Sequence, residues 1–321
     1  MLTINTILMK KILGILMLLL FINACDDGRL TVDVIDFSAV PAQKCSAKDV
    51  IYKVKDAEML FIEIPASTFI NDQTPVGVPI EVPINTTNKV TYRKYDGTVT
   101  LNNICPPVPV ATPNLKEEWD ATDGTIEITS TAIKSTNTTD NSTRITGYNY
   151  YIVFKNITFL KPSGPQIYTT FVFGNYTTSV SPLAFGFNHV VDKSTCDTKI
   201  YDFSGSEAFT LDVGDYNTLF ASAVTTTPRT ALISATNKLS YRLYSGTITD
   251  ALFCAGTIPT LTQQWDAING IAATSGIIEV STTTLGSGYL YTIRLKKVSL
   301  KRGNSDFSLG DDYLFGTLIT N

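Results

Sequence analysis

Asn88-Lys89-Val90-Thr91-Tyr92-Arg93-Lys94-Tyr95-Asp96-Gly97-Thr98-Val99-Thr100 is written again 149 residues later. The second version is Asn237-Lys238-Leu239-Ser240-Tyr241-Arg242-Leu243-Tyr244-Ser245-Gly246-Thr247-Ile248-Thr249. Cys105 and Cys254 keep the same offset. Pro113, Leu115 and Trp119-Asp120-Ala121 return as Pro259, Leu261 and Trp265-Asp266-Ala267. Further on, Ile126-Glu127-Ile128 returns as Ile278-Glu279-Val280, Gly147-Tyr148 as Gly288-Tyr289, and Phe173-Gly174 as Phe315-Gly316. The matches keep their order, so the chain reads as a duplicated unit covering 31–179 and 180–321. Two copies of about 140 residues are too few and too large for a solenoid, and each is long enough to bury its own core.

The repeated unit reads as strands. Thr91 to Tyr95 and Thr98 to Leu101 flank Asp96-Gly97, a dipeptide suited to a type I′ hairpin turn. Gly147 to Leu160 is a long run of Tyr, Ile, Val and Phe, matched by Gly288 to Leu300. Tyr168 to Phe173 and Tyr313 to Ile319 follow as closing strands. Asn114 to Glu118, after Pro113, suits a single helical turn. No sustained helical period follows Cys25. Ser135 to Thr143 is polar and reads as a mobile loop. Hydrophobic residues make up 44% and charged residues 17%, which excludes a disordered chain. The expected fold is all-β: two tandem homologous β-sandwich-like domains.

Before these units stands a leader. Lys10 and Lys11 precede an apolar run, Ile12 to Ile22, whose eleven residues fall short of the roughly 20 a transmembrane helix needs. Met9 makes a better start for such a leader than Met1. Ile22-Asn23-Ala24-Cys25 resembles the lipobox of bacterial lipoproteins. That resemblance implies a signal peptide over 1–24, cleavage before Cys25, acyl chains on Cys25 and a short tether over 25–30. The expected partner is the membrane, held through that lipid. Each buried CH₂ contributes about 0.8 kcal/mol, and stable anchoring takes more than one chain. Asp26-Asp27 resembles the surface-export signal of some Gram-negative lipoproteins, although elsewhere an Asp after the Cys marks inner-membrane retention. An outer-membrane, surface-exposed location is the expectation.

Four cysteines remain, one pair in each copy. Cys45 and Cys105 are 60 apart, and Cys196 and Cys254 are 58 apart. Of three connectivities the repeat selects Cys45–Cys105 and Cys196–Cys254, which an oxidising envelope compartment permits. The absence of CxxC spacing and of paired histidines argues against a metal site.

The sequence offers no catalytic residues and no cofactor motif. His189 is the one histidine, and neither GxSxG nor a glycine-rich phosphate loop is present. Glu117-Glu118 stands where the second copy has Gln263-Gln264, so a carboxylate pair would exist in one copy alone. Glu127 and Glu279 match within strand-like sequence and read as solvated strand positions. Asp212, Asp215 and Asn217 surround Gly214 and offer oxygen atoms to calcium, without an EF-hand pattern. Trp119 and Trp265 hold matched positions. Each reads as a core or corner residue, or as an exposed platform on which a sugar ring could stack. Removing Lys10 and Lys11 with the leader leaves 23 basic against 29 acidic side chains and no basic cluster, which argues against nucleic acid.

Trp119-Asp120-Ala121 followed by Asp123-Gly124 and Ile126-Glu127-Ile128, with Cys105 upstream, recurs around Trp265, Asn269-Gly270 and Ile278. This pattern resembles uncharacterised envelope lipoproteins of Bacteroidota-type bacteria. It implies location and no activity. The expectation is a lipid-anchored, non-enzymatic envelope protein that binds a glycan or another envelope protein, or serves structure. The alternative is a glycan-binding surface lipoprotein serving carbohydrate uptake.

Overall fold

A computed structural model describes residues 34–254 and 259–320. The leader, Cys25 and the tether over 25–30 lie outside the described residues. From Phe37 onward the chain forms one compact unit.

The first copy holds β1 (Gln43–Lys44), β2 (Val50–Lys55), β3 (Glu58–Glu63), β4 (Ile80–Pro83), β5 (Lys89–Tyr95), β6 (Leu115–Thr136), β7 (Thr143–Lys161) and β8 (Gly164–Ser179). The second holds β9 (Asp192–Lys193), β10 (Lys199–Ser204), β11 (Glu207–Val213), β12 (Arg229–Leu232), β13 (Asn237–Tyr244), β14 (Leu261–Ala267) and β15 (Ile277–Leu285). It continues through β16 (Gly288–Lys296), β17 (Ser299–Arg302), β18 (Ser305–Ser308) and β19 (Tyr313–Thr320). Among the described residues one short α-helix, α1 (Tyr216–Leu219), interrupts the strands. The fold is all-β and its strands pair antiparallel.

In copy one the eight strands make one sheet, in the order β1-β2-β3-β5-β6-β7-β8 with β4 on the far half of β6. In copy two the same connections make two sheets, β18-β17-β14-β13-β11-β10-β9 and β12-β15-β16-β19. The long β6 thus corresponds to β14 plus β15, β7 to β16 plus β17, and β8 to β18 plus β19. The two sheets of copy two meet face to face, with Phe209 of β11 and Phe315 of β19 5.2 Å apart.

The difference has a local cause. From Tyr148 to Phe159 in β7 the buried residues are Tyr148, Tyr150, Ile152 and Phe154, then Ile157 and Phe159. The alternation changes parity at Asn156, whose φ is 50°. Asn tolerates that region better than most residues. In copy two the buried Tyr291, Ile293 and Leu295 give way to Val298 and Leu300 across Lys297, at φ 48°. Opposite Asn156, Gly124 has φ 123°, and a Cβ there would stand 2.8 Å from the Ile157 Cα. Copy one turns this corner with its strand ladder continuous. Copy two inserts residues after Gly270, and the Ile271–Ser275 bridge closes them into a side loop that divides β14 from β15. The inserted residues are legible in the sequence, and they end the continuous sheet.

Both disulfides form as the repeat selected, with Cα atoms 5.3 Å apart for Cys45–Cys105 and 5.6 Å for Cys196–Cys254. Each closes a loop of about 60 residues, which on the chain-entropy model stabilises by about 4 kcal/mol.

Three expectations are corrected. Thr98 to Leu101 does not pair back on β5. Instead Val99 N–H donates to the Asp56 carbonyl at 2.9 Å, and Ile248 N–H to that of Gly205 at 2.8 Å. Val99 and Ile248 are buried, so the chain after β5 and β13 covers the β2–β3 and β10–β11 turns. Asn114 to Glu118 forms no helical turn. Leu115 begins β6, because pairing with Tyr95 recruits it to the sheet. The polar 137–142 segment is docked against copy two: Asn141 Nδ2 donates to Asp311 Oδ2 at 2.6 Å, and Asp311 N–H to the Asp140 carbonyl at 2.8 Å.

The copies join more firmly at the β17–β18 turn. Asp72 accepts from Asn304 N–H (3.0 Å), Ser305 N–H (2.8 Å), Ser305 Oγ (2.7 Å) and Gln73 N–H (2.8 Å). Gly303, at φ 58°, permits the approach, because a Cβ there would stand 2.0 Å from Asp72 Oδ2. Partial burial raises the Asp72 carboxyl, but the hydrogen bonds from Ser305, Asn304 and Gln73 outweigh it, and the net shift is below the ordinary value. A depressed carboxyl adds stability above its unfolded value, near 3.9, that is lost as pH falls through its folded value. Asp72→Asn will therefore lower stability at pH 7, by about 1 kcal/mol after allowing for solvent screening. In urea melts the gap between variant and wild type will narrow below about pH 4.

Candidate functional site

Each tryptophan sits in the same three-part setting. Trp119 and Trp265 are both 3% exposed. Trp119 Nε1 donates to Glu117 Oε2 at 3.1 Å, and Trp265 Nε1 to Gln263 Oε1 at 3.1 Å. Lys161 Nζ lies 5.2 Å from the Trp119 ring, and the Arg302 guanidinium 4.8 Å from the Trp265 ring. Strand register then packs Tyr92 against Trp119 at 4.6 Å. Burial weakens the platform reading: a cation and a neighbouring ring pack on each indole.

The acid pair is explained by the same geometry. Glu117 accepts the indole N–H, and Gln263 does so in copy two. Glu118 accepts from Arg93 Nε at 2.5 Å, and Gln264 Oε1 accepts from Arg242 Nε at 3.0 Å. An amide oxygen fills each place without a charge. Glu127 and Glu279 face lysines, at 4.0 Å from Lys155 and 3.4 Å from Lys296.

A groove of about 500 Å³ opens on the first copy over β3, β5 and β6. Glu63, Lys89, Arg93, Glu118 and Asp120 line it, with Asn85 at the rim. Its volume suits a small ligand. Arg93 spans it, 5.0 Å from the Phe61 ring. Burial opposes the Arg93 charge, and adjacent Glu118 more than restores it, holding the guanidinium above its usual range. Asp120 Oδ1 accepts from Thr91 Oγ1 at 2.7 Å, as Asp266 Oδ1 does from Ser240 Oγ at 2.6 Å. In copy two a cleft of about 310 Å³ shares the Arg242 position but lies toward the other end of the strand, walled by Tyr244, Leu252 and Phe253.

The remaining candidates stand apart. His189 braces the segment between copies: its N–H donates to Asp202 Oδ2 at 2.9 Å, and its Nδ1 lies 3.3 Å from the Phe315 carbonyl. Burial raises the Asp202 carboxyl even against that backbone donor. Asp215 accepts from Thr218 Oγ1 at 2.8 Å, and Asp212 from Thr198 Oγ1 at 3.4 Å. Among the described residues no cluster of three His, Cys, Asp or Glu is placed to hold a metal ion.

Sequence reasoning missed Glu207 of β11, buried at 7%. It accepts from Ala184, Phe185 and Gly186 N–H at 3.1–3.3 Å and from the Tyr241 hydroxyl. Burial and this carboxylate push the Tyr241 hydroxyl far above its ordinary range. Glu58 bonds Tyr92 Oη at 2.9 Å in the first copy, so the repeat itself carried the signal.

No family model, curated protein or solved structure matches this chain.

Glu117→Gln will leave the urea midpoint within about 0.5 kcal/mol of wild type, because the acceptor survives. Glu117→Ala leaves the indole N–H without its acceptor and will cost about 1–2 kcal/mol in the same melts.

Proposed function

We propose that this chain is a lipid-anchored cell-envelope protein, held through acyl chains on Cys25, whose duplicated β unit serves binding or structure rather than catalysis. The observation that carries the non-enzymatic part is the exchange of Glu117-Glu118 for Gln263-Gln264 within the same hydrogen bonds. A side chain whose place a neutral amide fills is acting as an acceptor, not as an acid or nucleophile. The leader and Ile22-Asn23-Ala24-Cys25 support the anchor, and two disulfides suit an oxidising compartment.

The groove over Arg93 favours a second reading, a glycan-binding surface lipoprotein serving carbohydrate uptake. Carboxylates, a guanidinium and an amide converge there, and such groups match sugar hydroxyls as acceptors and donors. In this reading the groove, and not the tryptophans, is the binding surface.

Protease shaving of intact cells, with a periplasmic control, checks the location. The expected outcome is loss of this protein with the control intact. Protection until the outer membrane is permeabilised would refute surface exposure. A panel of soluble polysaccharides titrated against the full chain in detergent checks the glycan reading. Saturable binding that Arg93→Ala or Asp120→Ala weakens at least tenfold is expected, and binding indifferent to both would remove the groove from it.

A further inference from the structure

A second cleft, of about 80 Å³, lies where the two copies meet. Asn71, Arg144 and Tyr148 line it from copy one, and Gln263, Arg302 and Phe307 from copy two. Neither copy builds it alone.

Its wall contains no acid, although the chain carries 29 acidic side chains against 25 basic ones. Arg144 lies 4.5 Å from the Phe185 ring and 5.4 Å from that of Phe307. Phe307 packs on Trp265 at 5.1 Å, and the Arg302 guanidinium lies 4.8 Å from the Trp265 ring. The order is cation, ring, ring, cation. Among the described residues no carboxylate forms an ion pair with either guanidinium. Arg144 uses only Nη1, on the Thr143 and Ser308 carbonyls, and Arg302 only Nη2, on the Asn71 carbonyl. Burial without a carboxylate partner pulls the Arg144 guanidinium below its usual range, despite a through-space attraction to Asp140. A half-buried cation of this kind is costly to hold without a counterion. The side-chain amides of Asn71 and Gln263 add N–H donors that take no acceptor among the described residues.

We infer that this seam cleft is a binding site for a carboxylate end group, held between Arg144 and Arg302. A guanidinium fork matches two carboxylate oxygens. The volume suits that group rather than a whole sugar ring, and Ile145, Leu183 and Phe307 provide an apolar wall for the carbon that bears it. A free small carboxylate or a uronate of an acidic glycan presents the same chemistry. The site is separate from the groove over Arg93, and its occupancy does not depend on that reading. Copy one has Glu117 and Lys161 at the places of Gln263 and Arg302, so an acid stands where copy two has an amide.

The test uses the full chain in detergent carrying Trp119→Phe, which leaves Trp265 as the one tryptophan reporter. Sodium acetate, sodium glucuronate, the neutral methyl ester of glucuronate, inorganic phosphate and sodium chloride are titrated at constant ionic strength. A saturable change in Trp265 emission with a carboxylate, and none with ester or chloride, is expected. Acetate and glucuronate acting alike would indicate a free carboxylate, and glucuronate alone an acidic sugar. Arg302→Gln will weaken binding at least tenfold. Gln263→Glu, which keeps the Trp265 acceptor and adds the charge copy one already tolerates, will do the same with the melting temperature unchanged. No saturable change, an equal response to chloride, preference for phosphate, or Gln263→Glu binding as wild type would each overturn the assignment.

Discussion

A strand that passes from one layer of this fold to the other must turn a corner without abandoning its backbone hydrogen bonds. A buried N–H or C=O without a partner costs about as much as a lost hydrogen bond, so the corner has to be built from special backbone positions. Asn156 in copy one and Lys297 in copy two supply it by taking positive φ, and in copy one Gly124 on the neighbouring strand supplies it by having no Cβ. The parity of the buried residues changes there, and both layers receive apolar side chains from one strand. Sheet order, the facing of the layers and the grooves on them follow from that turn.

Duplication gives two solutions to the same constraint. The first copy bends and keeps one eight-stranded sheet. The second diverts residues after Gly270 into a side loop and lets the sheet divide. Both keep a buried tryptophan, an acceptor two residues before it and a cation above it. The chemistry of the acceptor differs between copies while its geometry does not. The matched environment therefore identifies these residues as scaffold. The copies differ here by Gln263 for Glu117 and Arg302 for Lys161, and among the described residues Arg302 forms no ion pair with a carboxylate.

The seam is where the copies stop being equivalent. Asp72 reaches across to the β17–β18 turn, and Tyr148 Oη donates to Ser305 Oγ at 3.3 Å. The 137–142 segment, polar enough to suggest a free loop, spends its polar groups on Asp311. These contacts link residues about 160–230 positions apart. A period search compares each residue with its equivalent and is blind to contacts between positions that are not equivalent.

The sequence by itself determined the all-β class and the cysteine pairing, because these rest on local composition and on self-comparison of the repeated stretches. It also located the inserted residues after Gly270, without showing that they divide a sheet. The Asp96-Gly97 hairpin was misread from a local turn preference, since burial of Val99 on the neighbouring turn outweighs it. Matched tryptophans suggested either core or platform, and only packing could decide, because whether a ring is covered depends on Lys161 and Arg302 some 40 residues away. The groove over Arg93 and the arginine pair at the seam belong wholly to tertiary structure. Their residues are unremarkable singly, and it is the convergence of distant strands that sets charge against charge, or leaves it without a partner.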